Sequence, residues 1–176
     1  MKKTIIVLFA LAAMSVSLMA QASLSPSSSI PTIDGTVAAS EYQFTTDVSG
    51  MTIGATLGTD GKLYLSIYAK TGGWIALGVG GSKMNGSRMF LAYDTGTKKV
   101  FNEQRGAGHS HKDVADAVVE KWVVNKDGDV TSLELVLPAS AAVVDGKLDL
   151  LYAYSGSTSY MFPHKARGSL SLTVSN

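Results

Sequence analysis

The stretch from Lys62 to Lys70, KLYLSIYAK, alternates strictly, with Leu63, Leu65 and Ile67 on one face. A period of two residues is typical of a β-strand that has one face against a hydrophobic core. The turn signal Thr59-Asp60-Gly61 stands immediately before this stretch. It predicts a hairpin that joins the strand to a preceding strand over Met51–Leu57.

Short β-type runs continue on both sides of this hairpin, and turn signals rich in Gly, Asn and Asp separate them. We predict further strands over Trp74–Val79, Met89–Tyr93, Val118–Val124, Val130–Leu137, Leu148–Tyr154 and Ser169–Val174. No stretch holds a helical period over three turns. The 18 glycines and the regular spacing of turns favour an all-β fold, a two-sheet immunoglobulin-like β-sandwich without a second domain.

The N-terminus has the three parts of a secretory signal peptide. Lys2 and Lys3 precede the apolar run from Thr4 to Met19, and Ala20-Gln21-Ala22 forms a small-x-small cleavage site. The run is short for a membrane span, which disfavours the alternative of a retained anchor. We therefore predict a signal peptide over residues 1–22, a flexible Ser/Pro-rich lead-in over 23–31 and the sandwich over 32–176. A protein with this signal is periplasmic or secreted.

Composition excludes several classes of function. The sequence contains no cysteine, so it has no disulfide framework, no lipoprotein cysteine and no covalent haem attachment. Without Lys2 and Lys3, 13 of the 15 basic residues remain against 14 acidic ones. No basic cluster marks a nucleic-acid or anionic-membrane surface. No nucleophile elbow, phosphate loop or pair of carboxylates indicates an enzyme.

Two segments differ from ordinary strand and turn sequence. The strand Trp74–Val79 runs into a glycine-rich loop that carries Met84, and Phe162–Gly168 carries His164 just before the last strand. A thioether and an imidazole are the axial pair that holds low-spin haem iron and raises its reduction potential. The alternatives are that Met84 fills a gap in the core and that His164 is solvated.

Three motifs that occur in order along the chain favour the interpretation of Met84 and His164 as iron ligands. They are Trp74-Ile75-Ala76-Leu77-Gly78, Met84-Asn85-Gly86-Ser87-Arg88-Met89 and His164-Lys165-Ala166-Arg167-Gly168. With Gly106-Ala107-Gly108-His109, Ile33-Asp34-Gly35 and Glu41-Tyr42, this set resembles the DOMON domain family. The resemblance covers essentially the whole chain after the signal, and its haem-binding type includes the cytochrome domain of cellobiose dehydrogenase.

The resemblance implies one non-covalent haem b, with Met84 and His164 as the iron ligands. Met89 is the rival sulfur, although a packing role suits its position at the start of a strand. Trp74 lies in the matching motif, and Lys165 and Arg167 are candidates to pair with haem propionates. The expected function is single-electron transfer with a redox partner protein or a membrane electron carrier, and not enzymatic catalysis.

A haem-free module that binds carbohydrate is the alternative from a different class. Trp74, Tyr42 and the tyrosines of the last strands would then provide stacking platforms. Separately, His109 and His111 have a spacing that suits Cu(II) or Zn(II), or else they belong to a solvated polar loop.

The last expectation concerns how a partner would dock. We predict that the loop 80–88 and the segment 163–167 converge at one end of the sandwich. Lys83, Arg88, Lys165 and Arg167 would there form a basic rim that steers an acidic partner. Arg88 departs from the family pattern, in which a small polar residue is common.

Overall fold

The computed structural model describes residues 22–108 and 110–175. The predicted signal peptide, apart from Ala22, lies outside these residues, as does His109. Helical structure in the described ranges is limited to two 3-10 turns, Ala39–Glu41 and Ala139–Ala141. Neither has the length or the apolar character that a membrane-spanning helix needs.

Two sheets of mostly antiparallel strands account for most of the described chain. The strands are β1 (Ser23–Leu24), β2 (Phe44–Val48), β3 (Met51–Leu57), β4 (Lys62–Lys70), β5 (Ile75–Val79), β6 (Arg88–Asp94), β7 (Lys99–Ala107), β8 (Ser110–Asp113), β9 (Lys121–Asp127), β10 (Val130–Pro138), β11 (Val143–Val144), β12 (Lys147–Tyr154) and β13 (Ala166–Val174). The larger sheet has the order β1-β13-β12-β5-β6-β7-β8, with β11 beside β12, and the smaller has the order β2-β3-β4-β10-β9. This architecture confirms the predicted all-β sandwich.

Both hairpins that the turn signals predicted are present. β3 pairs with β4 in the register Met51↔Ala69, and β9 pairs with β10 in the register Asp127↔Val130. The bounds of β3 and β4 match the predicted strands. The strand predicted over Val118–Val124 instead begins at Lys121, because Val118 and Val119 donate their backbone N–H groups to the Glu103 carboxylate.

The predicted flexible lead-in is anchored at its start and at its middle. Ser23–Leu24 pairs in parallel with the end of β13, and Leu24 is fully buried in the core. Further along, Ser27 bridges to Gly58 and donates its backbone N–H to the Leu57 carbonyl at 2.8 Å. The Ser/Pro composition concealed a strand of two residues, whose stability comes from its partner strand and from burial of one leucine.

The core lies between the sheets and follows the alternation of their strands. In β5, the side chains of Ile75, Leu77 and Val79 enter this core, together with Phe90 and Ala92 of the neighbouring β6. The residues between them point away from the core. A second, separate apolar cluster therefore forms on the outer face of the larger sheet.

Glu134 of β10 fastens the N-terminal segment to the outer face of the smaller sheet. Its fully buried carboxylate accepts hydrogen bonds from the Tyr42 hydroxyl at 2.7 Å and from the backbone N–H groups of Gly35 and Asp34 at 2.6 and 3.1 Å. Burial raises the pKa of this carboxyl above its ordinary value of 4.5, although the three hydrogen bonds oppose the shift. A charged group in this position is tolerated because all its partners are donors.

Removal of the Glu134 carboxylate is expected to lower the free energy of unfolding far more than removal of one of its donors. Glu134→Ala leaves two buried donors and one half-buried donor without their acceptor and should lower the free energy of unfolding by about 3 kcal/mol, whereas Tyr42→Phe should lower it by about 1 kcal/mol. Denaturant unfolding measures both values. Equal losses in the two variants would contradict the role of Glu134 as the shared acceptor.

The raised pKa of Glu134 also predicts a pH dependence of stability. Above pH 4.5 the unfolded chain releases this proton before the folded chain does, so the folded state binds more protons. The free energy of unfolding should therefore decline as pH rises from 4.5 through the folded pKa. Glu134→Gln should remove this part of the decline, as measured by denaturant unfolding over a pH series. A variant that keeps the wild-type slope would contradict the assignment.

Candidate functional site

The outer face of the larger sheet carries an apolar cleft of about 480 Å³. Leu151 and Ala153 of β12 and Met89 of β6 line it. The small residues Ala76 and Gly78 of the intervening β5 leave space above this face, and the Met89 sulfur lies 2.7 Å from the position that a Cβ on Gly78 would take. The volume is within the range of pockets that bind small molecules and cofactors.

Met84 reaches the cleft from the loop that joins β5 to β6. The Ser87 backbone N–H donates to the Met84 carbonyl at 3.1 Å, and the Ser87 hydroxyl donates to the Lys83 carbonyl at 2.6 Å. Two backbone hydrogen bonds of 2.9 Å, Gly86 to Gly106 and Gly106 to Ser87, fasten the loop to the end of β7. The loop is therefore closed on itself and pinned to a neighbouring strand.

Gly106 permits this close approach. A Cβ at this position would stand 1.9 Å from the Met84 carbonyl oxygen and 3.0 Å from its Cγ. Because the nearest atom belongs to the backbone, the loop itself would have to move to admit any side chain. Glycine at 106 is thus a condition for the position of Met84.

His164 reaches the same cleft from the segment between β12 and β13. This segment is fixed to the start of β5, because Trp74 exchanges backbone hydrogen bonds of 2.9 Å with Ser155 and Ser157. The His164 ring packs edge-on against the Trp74 indole, with 5.4 Å between ring centroids. Tyr160 of the same segment also meets Trp74 edge-on, at 6.3 Å. The segment therefore folds back over the outer face.

Met84 and His164 come from opposite ends of the strands, which corrects the prediction that their segments meet at one end of the sandwich. β5 and β12 are antiparallel, with Tyr154 opposite Ile75 and Leu150 opposite Val79. The chain leaves β5 at one end towards Met84 and leaves β12 at the other end towards His164. Both residues nevertheless line one cleft, because both segments lean over the outer face between those ends.

A second histidine contacts the predicted sulfur ligand. The His111 Nε2 atom lies 3.1 Å from the Met84 Sδ atom. Burial lowers the pKa of the His111 imidazole. Desolvation, followed by the charges of Arg167 and His111, lowers the pKa of His164. Both imidazoles therefore favour the neutral form, which is the form that binds metals.

One buried polar atom beside the cleft is unpaired. The Trp74 Nε1 atom has no hydrogen-bond partner in the part of the chain that the structure describes. An indole N–H that is buried usually has an acceptor. The unpaired donor, the apolar floor and the thioether and imidazole at the two sides fit a large flat apolar cofactor that carries acceptor groups.

The charges around the cleft differ from the predicted basic rim. Arg88 is buried and pairs with the carboxylates of Glu103 and Asp116, so it belongs to the packing between the sheets. Its guanidinium lowers the pKa of the Asp116 carboxyl. Lys83 and Arg167 line the cleft, and the Lys165 ammonium lies 5.8 Å from the centre of the Tyr154 ring.

The aromatic residues considered as sugar platforms do not present open ring faces. Tyr42, Trp74, Tyr152 and Tyr154 are all buried. A stacking platform needs one solvent-exposed ring face, so this prediction is wrong for these residues. Close to His164 in sequence, the apolar side chains of Met161, at 92%, and Phe162, at 59%, are exposed instead.

The contact of His111 with Met84 was not predicted, because the β7–β8 hairpin was missed in the sequence. Gly106 pairs with His111 across this hairpin, which puts both on the face where Met84 lies. Alternation through His109-Ser110-His111 was the available signal. No group of three or more His, Asp and Glu side chains in the described ranges forms a metal site, and the position of His109 lies outside them.

Comparison with solved structures identifies the fold. The cytochrome domain of Myriococcum thermophilum cellobiose dehydrogenase superposes with a TM-score of 0.58 over 84% of this chain and 89% of its own, at 13% sequence identity. The cytochrome b domain of pyranose dehydrogenase from Coprinopsis cinerea gives a TM-score of 0.56 over 70% of this chain and 76% of its own, at 8% identity. In sequence, the chain matches no protein-family profile and no curated protein.

Substitution of Gly106 should displace Met84 and leave the core intact. Gly106→Ala introduces a methyl group against the Met84 carbonyl and should lower the free energy of unfolding by about 1–3 kcal/mol. The Met84 methyl resonance in an NMR spectrum should shift while those of core residues stay in place. Gly156→Ala is the matched control, since a Cβ there meets nothing within 4 Å. An unmoved Met84 resonance in Gly106→Ala would contradict the packing described.

Proposed function

We propose, on the premise that this chain has the fold of cytochrome b domains, that it binds one non-covalent haem b in the outer-face cleft and carries single electrons. The observation that carries the proposal is that Met84 and His164, from opposite ends of the sheet, line the same apolar cleft. The haem would supply the one-electron chemistry, and the protein would supply the pocket, the ligands and the surroundings.

Each side chain at the cleft has a role that follows from its chemistry. His164 Nε2 or Nδ1 and Met84 Sδ are the proposed iron ligands, and Met89 is assigned to the apolar floor because its sulfur packs over Gly78. The unpaired Trp74 Nε1–H and the Arg167 guanidinium are donors suited to the propionate carboxylates. Lys165 is a further candidate for that pairing.

An electron carrier suits this site better than an enzyme. With an imidazole and a thioether bound, the iron has no open position for a substrate. The segments on both sides of the cleft are held by backbone hydrogen bonds, which keep Met84 and His164 at the cleft. The alternative carbohydrate-binding function loses support because its proposed ring platforms are buried.

The partner and the compartment follow from the same proposal. Lys83 and Arg167 beside the cleft would attract an acidic redox protein or membrane electron carrier, with an association rate that falls as salt is added. The signal peptide proposed for residues 1–22 would deliver the protein to the periplasm or the medium.

Spectroscopy of the purified, haem-supplemented protein tests the proposal. The wild-type protein should be red, with the sharp reduced-state bands of a low-spin b-type cytochrome. His164→Ala should weaken haem affinity about tenfold or more and yield high-spin iron, because loss even of an outer partner costs that much at metal sites. Met84→Ala should stay folded, with an altered reduced spectrum and a lower potential if another strong ligand replaces the sulfur.

Met161→Leu is the matched control, since this methionine is exposed and should leave every spectrum unchanged. A wild-type protein that stays colourless after haem is supplied would end the proposal. Spectra of Met84→Ala and His164→Ala that both equal the wild-type spectrum would refute the ligand assignment alone.

A further inference from the structure

Met84, which lines the cleft, contacts His111, so that two potential ligand atoms lie next to each other. Sδ and Nε2 are 3.1 Å apart. Metal bonds to imidazole nitrogen and to sulfur are about 2.0–2.3 Å long, so either atom can occupy a ligand position that the other can reach. A haem offers one axial position on each face, so only one of the two atoms can bind at a time.

The position of His111 is set by the backbone. β8 pairs with β7 so that His111 stands opposite Gly106, and residues opposite each other in an antiparallel pair point to the same face. On that face the Met84 loop lies directly against Gly106, and the Asn85 side chain accepts the Gly108 backbone N–H at 2.9 Å. The same contacts that fix Met84 therefore fix His111 beside it.

We propose, resting on the haem-binding function above, that His111 is an alternative axial ligand to Met84, binding the oxidised iron while the thioether binds the reduced iron. Imidazole binds both oxidation states, and the soft thioether favours Fe(II). When a one-electron donor protein reduces the site, the Nε2–iron bond breaks and the Sδ–iron bond forms. His164 stays bound on the other face, and no proton needs to move.

The exchange would have a functional consequence. A site with two imidazoles has a lower reduction potential than one with an imidazole and a thioether. A protein that changes ligand with oxidation state therefore has a potential between those of the two fixed sites.

Spectra of the haem-loaded protein in both oxidation states test the exchange. The wild-type ferric protein should give the electron paramagnetic resonance signal of two imidazoles and lack the near-infrared absorption of thioether-bound Fe(III). His111→Ala should gain that absorption and shift the potential upward. Met84→Leu should keep two imidazoles in both states and shift the potential downward. From lowest to highest, the reduction potentials should then be in the order Met84→Leu, wild type, His111→Ala.

Two controls separate ligand loss from general damage. Lys112→Ala alters the same short strand at an exposed neighbour of His111, and Met161→Leu removes an exposed sulfur that does not line the cleft. Both variants should give the wild-type spectra and reduction potential. Circular dichroism of the apo-proteins checks that each variant folds.

Three results would overturn the proposal while leaving haem binding intact. The first is thioether absorption in wild-type ferric protein that His111→Ala leaves unchanged. The second is high-spin iron in Met84→Leu, which would show that His111 cannot take the position. The third is a His111→Ala variant that changes only the potential, with thioether ligation in both proteins, which would make His111 a hydrogen-bond donor to the sulfur. Failure of haem to bind the wild-type protein at all refutes the function itself.

Discussion

Side chains alternate between the two faces along β5, which lies between two antiparallel strands, and this alternation sets the positions of both the core and the cleft. Ile75, Leu77 and Val79 enter the space between the sheets, and the intervening positions hold only alanine and glycine on the outer face. A strand has no other way to divide its side chains, because successive residues point to opposite faces. One strand of five residues thus builds the hydrophobic core on one side and leaves room for a flat ligand on the other.

The antiparallel register of this strand also determines from which end of the sheet each side chain reaches the cleft. The connections that leave β5 and β12 start at opposite ends of the sheet, so a site on the outer face can receive one side chain from each end. Both connections are irregular, yet both are bound to strands: the Met84 loop to β7 through Gly106, and the His164 segment to β5 through Trp74. The functional side chains of such a site come from loops, and the bonds to the strands hold them in fixed positions.

Some charged residues pair with each other within the fold and others lie at the cleft, a division that the formal net charge does not reveal. Arg88, Glu103 and Asp116 fix the passage of the chain from the larger sheet to the smaller one, where Glu103 accepts the backbone N–H groups of Val118 and Val119. Arg88 and Glu103 are buried and pair with each other, whereas Asp116 is exposed and pairs with Arg88 from the surface. Lys83 and Arg167 remain at the cleft, which leaves a smaller positive patch than four basic residues would give.

The sequence by itself determined the all-β class, the two hairpins and the two segments that carry Met84 and His164, because period-two alternation, turn residues and unusual loops are local signals. It did not reveal β7 and β8, whose largely polar residues lack apolar alternation, or the strand in the lead-in, which depends on a partner in β13. Tertiary structure alone decided that Arg88 is buried, that the two segments arrive from opposite ends, and that His111 touches the Met84 sulfur. Each of these depends on strand order and register, which bring together residues that are distant in sequence and which no local pattern specifies.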